Sequence, residues 1–210
     1  MTATPEPAPP PFVGLTGGIG AGKSEALAAL ERLGAATLST DAVVHELYGD
    51  PDVRDAMVAR WGPGVAPGGT IDRSAVADKA FGDPEERGWL EGQLWPRVGE
   101  RMAAWREAEL ARETPPRALV VEVPLLFEAG MEAAFDATIA VVADEAVRAQ
   151  RAGARGHQAV DERTKRQLTQ DEKAARATHV VRNGGTLEEL EARVAEVLEA
   201  LRGQTPHYTN

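Results

Sequence analysis

Residues 17–24 read Gly17-Gly18-Ile19-Gly20-Ala21-Gly22-Lys23-Ser24 and match the pattern G-x-x-x-x-G-K-S/T without a substitution. A short apolar run, Phe12 to Leu15, precedes this stretch, and a helical pattern of apolar residues follows it. Glycines let successive backbone N–H groups turn toward one anion, a lysine adds a positive charge, and a serine hydroxyl can ligate Mg²⁺. The order strand, loop, helix therefore predicts a phosphate-binding loop rather than an incidental glycine-rich turn.

Four further β-like runs follow along the chain, and helical patterns fill the intervals between them. The runs are residues 35–38, 119–123, 137–142 and 179–182. Strands that are apolar almost throughout and alternate with helices indicate a parallel sheet covered on both faces. A capping box of Thr186 and Glu189 marks the start of the last helix. The predicted fold class is α/β, with a parallel five-stranded sheet and helices on both faces.

The interval between the second and third strands is too long for a simple crossover, so residues 41–116 are predicted to form a helical insertion. In an open α/β sheet, ligands bind beyond the carboxyl ends of the strands, and an insertion there would hold a phosphate acceptor. A long helix should start after Asp83, and Pro96 should kink or split it near Trp95. The insertion contains the four tryptophans Trp61, Trp89, Trp95 and Trp105. Most of them are expected in the core.

Asp41 follows the second strand and is the candidate for proton transfer. A carboxylate close to an acceptor hydroxyl can orient that hydroxyl and take its proton during phosphoryl transfer. An aspartate before Ala42-Val43-Val44 could equally cap a helix. The spacing leaves the two interpretations about even.

Arg148, Arg151 and Arg155 fall three and four residues apart after the fourth strand. That spacing puts them on one helix face, from which they could close over a triphosphate. The alternative is an ordinary solvated charged face. Residues 148–173 are expected to form a lid.

Glu122 ends the otherwise apolar third strand. A buried carboxylate is costly unless it is paired, and this one could hold Mg²⁺ through water. The alternative is a strand at the edge of the sheet with Glu122 facing solvent. The neighbouring valines favour an interior strand.

Composition limits the remaining possibilities. The chain has 210 residues, 43% of them hydrophobic, a formal charge of −10 and no cysteine. These values suit a single globular domain at residues 12–203 in a reducing cytoplasm, with no broad surface for nucleic acid or membrane. Residues 1–11 are expected to be a disordered tail, and residues 204–210 a second tail. The four histidines lack the spacing of metal ligands.

Together these stretches resemble the dephospho-CoA kinase family from about Phe12 to Leu201. The main carriers are Thr16 to Ser24, Asp41 and the sequence Pro124-Leu125-Leu126-Phe127-Glu128. Further matches are Ile71-Asp72-Arg73, Gln150-Arg151 with Arg155, Arg166 to Gln170, and Asn183-Gly184.

The resemblance implies a P-loop kinase that uses ATP and Mg²⁺ to phosphorylate the ribose 3′-hydroxyl of dephospho-coenzyme A, giving coenzyme A and ADP. It implies catalytic roles for Asp41, Lys23 and Arg151. The residues expected to contact ATP are Gly18, Ile19, Gly20, Ala21, Gly22, Lys23, Ser24, Glu25, Arg151, Arg155 and Asn183. The residues expected to border the acceptor are Thr16, Asp41, Arg73, Pro124, Leu125 and Glu128. Ser24 is the expected Mg²⁺ ligand, and a small-molecule substrate is the expected partner of a monomer or small homo-oligomer.

The chain departs from the family pattern at three places. Glu25 stands where the family usually has threonine, and we expect it to point to solvent because a helix N-terminus favours a carboxylate. Trp95 replaces the usual histidine before proline, and Arg182 the usual aspartate before Asn183. Alternative functions are another small-molecule or nucleotide kinase, or a nucleotide-binding adaptor without transfer activity.

Overall fold

A computed structural model describes residues 8–145, 147–148 and 167–202 of the chain. The chain divides into two compact units. The sheet unit comprises the residues up to Leu38 and those from Arg106 onward, and the helical unit is Ser39–Trp105. Most of the predicted lid, the predicted C-terminal tail and residues 1–7 of the predicted N-terminal tail lie outside the described residues.

All five predicted strands are present in one parallel sheet. The strands are β1 (Phe12–Gly17), β2 (Ala36–Ser39), β3 (Leu119–Glu122), β4 (Ala137–Val142) and β5 (His179–Arg182). Their order across the sheet is β2-β3-β1-β4-β5. The register pairs Leu15 with Glu122 and Gly17 with Val141, so the carboxyl ends of the central strands lie at one edge.

The first helix, α1 (Lys23–Arg32), packs together with the last described helix on one face of the sheet. Val13 and Leu15 of β1 belong to the same buried cluster as the apolar sides of both helices. The last helix runs from Leu187 to Arg202, and the predicted capping box is confirmed by two bonds between Thr186 and Glu189. Its buried residues are Leu190, Val194, Leu198 and Leu201.

The opposite face of β1 carries the alternate residues of the strand. The Phe12 ring packs against that of Phe135, with 4.8 Å between the ring centroids. A Cβ added at Gly14 would lie 2.4 Å from Cδ1 of Leu126. The loop after β3 thus packs directly on the backbone of the strand that leads into the phosphate loop.

The helical unit is built from helices joined by short turns. Its helices are α2 (Thr40–Leu47), α3 (Pro51–Trp61), α4 (Arg73–Phe81) and α5 (Pro84–Leu110), with single 3₁₀ turns at Pro63–Val65 and Pro67–Gly69. Two further helices of the sheet unit are α6 (Gln170–Arg176) and α7, the last helix described above.

Pro96 was predicted to kink or split the long helix; the split is wrong, because α5 continues through it, and the kink stays a prediction. Proline removes a backbone donor from the helix. In the same turn the Arg97 guanidinium donates to the Gln93 carbonyl at 2.7 Å. A side-chain donor therefore serves a carbonyl close to the interrupted hydrogen bonds.

The prediction that most tryptophans are core residues is also wrong. Trp61, Trp89 and Trp105 are half-buried, and Trp95 is 55% exposed. Trp61 and Trp89 pack edge to face, and the Trp61 indole N–H donates to Glu86 at 2.7 Å. An indole ring has a polar N–H edge as well as apolar faces. Trp61 can therefore both pack on Trp89 and bond to Glu86, and these contacts link α3 to α5 at the surface.

Within the described ranges, no helix combines the length and the apolar character needed to cross a membrane. The longest, α5, has 27 residues, but charged side chains are spread along it.

Candidate active site

The phosphate loop connects β1 directly to α1. Gly20 and Gly22 have φ angles of 75° and 90°, in the left-handed region that strains any residue with a side chain. A Cβ added at Gly17 would lie 2.4 Å from the Val141 carbonyl oxygen. Since the first N–H groups of a helix have no partner within it, this backbone path leaves the start of α1 suited to an anion.

Lys23 begins α1 and faces Glu122 at the end of β3. Lys23 Nζ lies 3.9 Å from Glu122 Oε1, and the two side chains are only 15% and 12% exposed. β3 lies between β2 and β1, so the alternative that Glu122 sits on an edge strand facing solvent is wrong. Ser24, the next residue of the helix, is exposed.

Arg148 packs on the phosphate loop. Its Nε donates to the Ile19 carbonyl at 2.9 Å, and its Nη1 donates to Glu145 at 2.6 Å. For Arg148 the alternative of a solvated charged face is therefore wrong. Arg151 and Arg155 lie outside the described residues, and their roles stay predictions.

Asn183 holds the phosphate loop from the other side. Its buried side-chain amide donates to the Ala21 carbonyl at 2.9 Å, and its backbone N–H donates to the Val142 carbonyl at 2.7 Å. The loop is thereby joined to the carboxyl ends of β4 and β5. A polar amide that is buried needs such partners, which explains why an asparagine occupies this position.

A cavity of about 500 Å³ opens beside Asn183. It lies at the carboxyl ends of β4 and β5, where ligands of open α/β sheets bind. Charged side chains of both signs line it, together with Gly184 and Gly185. Its position next to the phosphate loop suits the base or ribose of a nucleotide.

Thr16, Pro124 and Glu128, three of the residues expected to border the acceptor, converge on Lys173. Lys173 Nζ donates to the Pro124 carbonyl at 2.8 Å, to Glu128 Oε2 at 3.2 Å and to the Thr16 hydroxyl at 3.3 Å. It also lies 2.9 Å from Glu128 Oε1, as an ion pair. The lysine is fully buried. Leu125, in the same loop, is half-buried. Sequence reasoning missed Lys173, because it lies in a polar segment whose charges give no sign of which one is buried.

Gln170 lies in a stretch that resembles the family, but sequence reasoning gave its side chain no role. Its side-chain amide makes two bonds to Ala143, donating to the carbonyl at 2.8 Å and accepting from the N–H at 2.9 Å. These two hydrogen bonds resemble the pairing between neighbouring strands and extend it one residue beyond the end of β4. No local sequence signal distinguishes such a glutamine from a solvated one.

A sequence model described as Dephospho-CoA kinase matches residues 11–189. The chain belongs to the dephospho-CoA kinase family. The Dephospho-CoA kinase of Deinococcus radiodurans is 39% identical over 207 residues, which cover 96% of this chain and 99% of that protein. That of Moorella thermoacetica is 40% identical over 197 residues, covering 91% and 92%. The matched region contains the phosphate loop, the helical unit and β5.

Solved structures agree on the fold. A crystal structure of a Thermus thermophilus protein is 33% identical, with a TM-score of 0.77, and the match covers 91% of this chain and 97% of that one. Dephospho-CoA kinase members transfer phosphate from ATP to a small molecule, so this chain is a transferase with a P-loop kinase fold.

Asp41, the predicted base of this kinase, is the second residue of α2 and is exposed. The N-cap position of α2 is held by Ser39, so the alternative that Asp41 is the cap is wrong. Arg73 is the first residue of α4, and its neighbour Asp72 caps that helix by accepting from Ser74 N–H at 2.9 Å. Asp41 and Arg73 both belong to the helical unit, and their roles stay predictions.

The prediction that Glu25 points to solvent is wrong. It is half-buried and lines a cavity of about 140 Å³ together with Asn183, Gly185 and Thr186. Leu187 and Leu190 complete that lining. One carboxylate oxygen, Oε2, is buried, so the side chain does not extend into water.

Proposed function

We propose that this chain phosphorylates the ribose 3′-hydroxyl of dephospho-coenzyme A with ATP, releasing coenzyme A and ADP. The observation that carries the proposal is the phosphate loop, with left-handed Gly20 and Gly22 and the Lys23 ammonium at the start of α1. Membership of the family supports the choice of acceptor. The enzyme is proposed to act in the cytoplasm.

The donor triphosphate lies across the phosphate loop in this proposal. Backbone N–H groups of residues 18–24 donate to the phosphate oxygens, and Lys23 stabilises the charge that develops as the terminal phosphoryl group leaves. Arg148 and Asn183 bond the loop carbonyls of Ile19 and Ala21, so the loop is held in shape before the nucleotide arrives. Preorganised donors cost little reorganisation at the moment of transfer.

The cavity at the ends of β4 and β5 is proposed to hold the base of the donor. Its lining includes Gly184, whose missing side chain lets a planar ring approach the backbone, and Arg182 and Arg193. Arg193 donates to the Arg182 carbonyl. The Arg182 side chain stands where the family usually has aspartate, so this edge of the cavity carries a positive charge in this chain.

Mg²⁺ fits the donor set at the loop. Among the described residues no group of three histidine, aspartate or glutamate side chains is placed to hold a metal ion, which suits a metal bound mainly by phosphate and water. The exposed Ser24 hydroxyl is the protein's proposed direct ligand, and the Glu122 carboxylate is proposed to hold Mg²⁺ through water. When bound, Mg²⁺ neutralises the charge on the transferring phosphate.

On the acceptor side, Asp41 is proposed to accept the proton of the ribose hydroxyl. Its exposure, in the first turn of α2, leaves the carboxylate accessible to substrate. Arg73 and the loop Pro124 to Glu128 are proposed to border the acceptor.

The proposal is tested by ADP release from ATP on a panel of alcohols, with ³¹P NMR to locate the new phosphate. The panel holds dephospho-coenzyme A, nucleoside monophosphates, shikimate and gluconate. We expect turnover with dephospho-coenzyme A and a new signal from a ribose 3′-phosphate monoester. Turnover confined to another acceptor, or nucleotide binding without transfer to any of them, would reject the proposal.

A further inference from the structure

A fully buried lysine lies beside the phosphate loop, and the proposed chemistry gives it no task. Lys173 is in the middle of α6 and has no exposed side-chain surface. Isolated buried charges are strongly unfavourable, so a lysine in such a place has to be paired and hydrogen-bonded.

Its ammonium group is fully used. The three N–H donors of an ammonium are matched by the Pro124 carbonyl at 2.8 Å, Glu128 Oε2 at 3.2 Å and the Thr16 hydroxyl at 3.3 Å. The Thr16 hydroxyl in turn donates to the Pro124 carbonyl at 3.1 Å. One ammonium therefore joins the end of β1, the loop after β3 and α6, which are distant in sequence.

Glu128 completes the cluster. Its Oε1 also accepts the backbone N–H of Leu168 at 2.8 Å, and its side chain is 11% exposed. With both Lys173 and Leu168 bound to the carboxylate, Glu128 is placed to shape the loop rather than to be a free acceptor of substrate hydrogen bonds.

The influences on the pKa of Lys173 agree with an ion pair between its ammonium group and the Glu128 carboxylate. Burial lowers the pKa of Lys173, the Glu128 carboxylate opposes that change, and the nearby Lys23 ammonium adds to the lowering. Two ammonium groups near one phosphate-binding loop repel each other unless a carboxylate compensates one of them. Glu122 faces Lys23 and Glu128 faces Lys173, so each lysine has its own carboxylate.

We propose that Lys173 is a positioning residue for phosphoryl transfer, which holds Thr16 and the loop Pro124 to Glu128 in the geometry that the acceptor needs. The proposal rests on the proposed function, because that loop is taken to border dephospho-coenzyme A. Lys173 touches neither substrate; it acts through the residues that it bonds.

The decisive experiment is a double-mutant cycle on Lys173→Met and Glu128→Gln with dephospho-coenzyme A and ATP. Lys173→Met keeps the length of the side chain but leaves the Glu128 carboxylate buried without its cation. We expect kcat/KM for the acceptor to fall by about 10- to 100-fold, since displaced positioning groups have effects of that order. KM for ATP should change much less, because the phosphate loop binds ATP through its own backbone amides. The double variant should recover part of the loss.

Two controls separate positioning from simple folding. Arg202→Met removes a cation from α7 of the same unit, where Arg202 is exposed and pairs with Glu199, and it should leave kcat/KM unchanged. Lys173→Arg keeps the charge and should retain more activity than Lys173→Met. All values are divided by the folded fraction, measured by circular dichroism at the assay temperature.

The proposal is overturned if folded Lys173→Met has the wild-type kcat/KM, or if the acceptor and ATP parameters fall equally. It is also overturned if the two single losses simply add in the double variant, because independent effects mean that the pair does not act as a unit. A wild-type enzyme inactive on dephospho-coenzyme A would instead reject the proposed function itself, and this inference with it.

Discussion

The phosphate loop in the sheet unit and α5 in the helical unit differ in the space around their glycines. In the sheet unit, a Cβ at Gly17 would lie 2.4 Å from a backbone carbonyl oxygen, and one at Gly20 would lie 2.7 Å from another. In the helical unit, a Cβ at Gly88, Gly92 or Gly99 of α5 would meet none of the described atoms within 4 Å. The sheet unit thus builds its site from closely approaching backbone.

The helical unit relies instead on side chains at its surface. Arg60 makes two bonds to the Glu86 carboxylate, at 3.0 and 2.8 Å, and Trp61 donates to the same carboxylate. Those hydrogen bonds lower the pKa of Glu86, with the bond from Arg60 as the largest cause. Ordinary surface substitutions should therefore be tolerated better in the helical unit than at the phosphate loop, and four predictions test this contrast.

The largest effect is expected at the phosphate loop. Lys23→Met should lower kcat by about 10³-fold, because it removes a preorganised cation from the developing phosphate charge. The measurement is steady-state turnover of dephospho-coenzyme A. Lys79→Met, at an exposed lysine of α4, is the matched control and should keep full turnover. An active Lys23→Met enzyme would contradict the role given to the loop.

The second prediction asks whether the helical unit also carries chemistry. Asp41→Asn should lower kcat by about 10²-fold or more, since it removes the proposed base. Asp52 occupies the same position in α3 as Asp41 in α2, the second residue of the helix. Asp52→Asn should have the same small effect of about 0.3–1 kcal/mol on stability through the helix dipole, but none on kcat. Equal turnover of the two variants would show that Asp41 has no catalytic role.

The third prediction compares the glycines themselves. Gly17→Ala should lower the free energy of unfolding by about 1–3 kcal/mol, because the added methyl group collides with the Val141 carbonyl. Gly99→Ala in α5 should raise it by about 0.5–1 kcal/mol, because alanine favours a helix and open space receives the methyl group. Urea unfolding at fixed pH measures both. Changes of the same sign would remove the contrast between the units.

The smallest effect concerns pH. Burial lowers the pKa of His179 from its ordinary value of 6.5, so just below that pH the unfolded chain binds more protons than the folded one. Stability from the neutral imidazole is complete above 6.5 and is lost as the pH falls through the lowered pKa. Urea unfolding of wild type and His179→Gln between pH 5 and 7.5, in steps of about half a unit, should show the wild type losing stability relative to the variant as the pH falls. A constant difference would show that His179 does not titrate differently on folding.

Local sequence predicted the parts of the fold whose cause is local. β4 begins and ends where predicted because its apolar run is continuous, and the capping box at Thr186 is confirmed because its partners are three residues apart. β1 is two residues longer than predicted, since Gly17 still pairs with Val141 across the sheet. α5 continues through Pro96, where proline propensity alone predicted a kink or a split.

In the site too, the features with a local cause were predicted and those that depend on distant residues were not. The phosphate loop was predicted residue by residue, and Glu122 was predicted to be interior because valines surround it. The roles of Lys173 and Gln170 were missed, since their partners lie 27 to 157 residues away. Arg148 was placed in the predicted lid cluster, and its bond to Ile19 depends on how β1 and β4 are arranged side by side.

The amino-acid sequence by itself determined the sheet, the phosphate loop and the family, because strand patterns, glycine conformations and caps depend on residues a few positions apart. Only the tertiary structure decided which charges are buried. Burial depends on neighbours that the sheet brings together from distant segments, so one lysine of a polar stretch lies at the end of β1 while Arg176 of the same helix stays exposed.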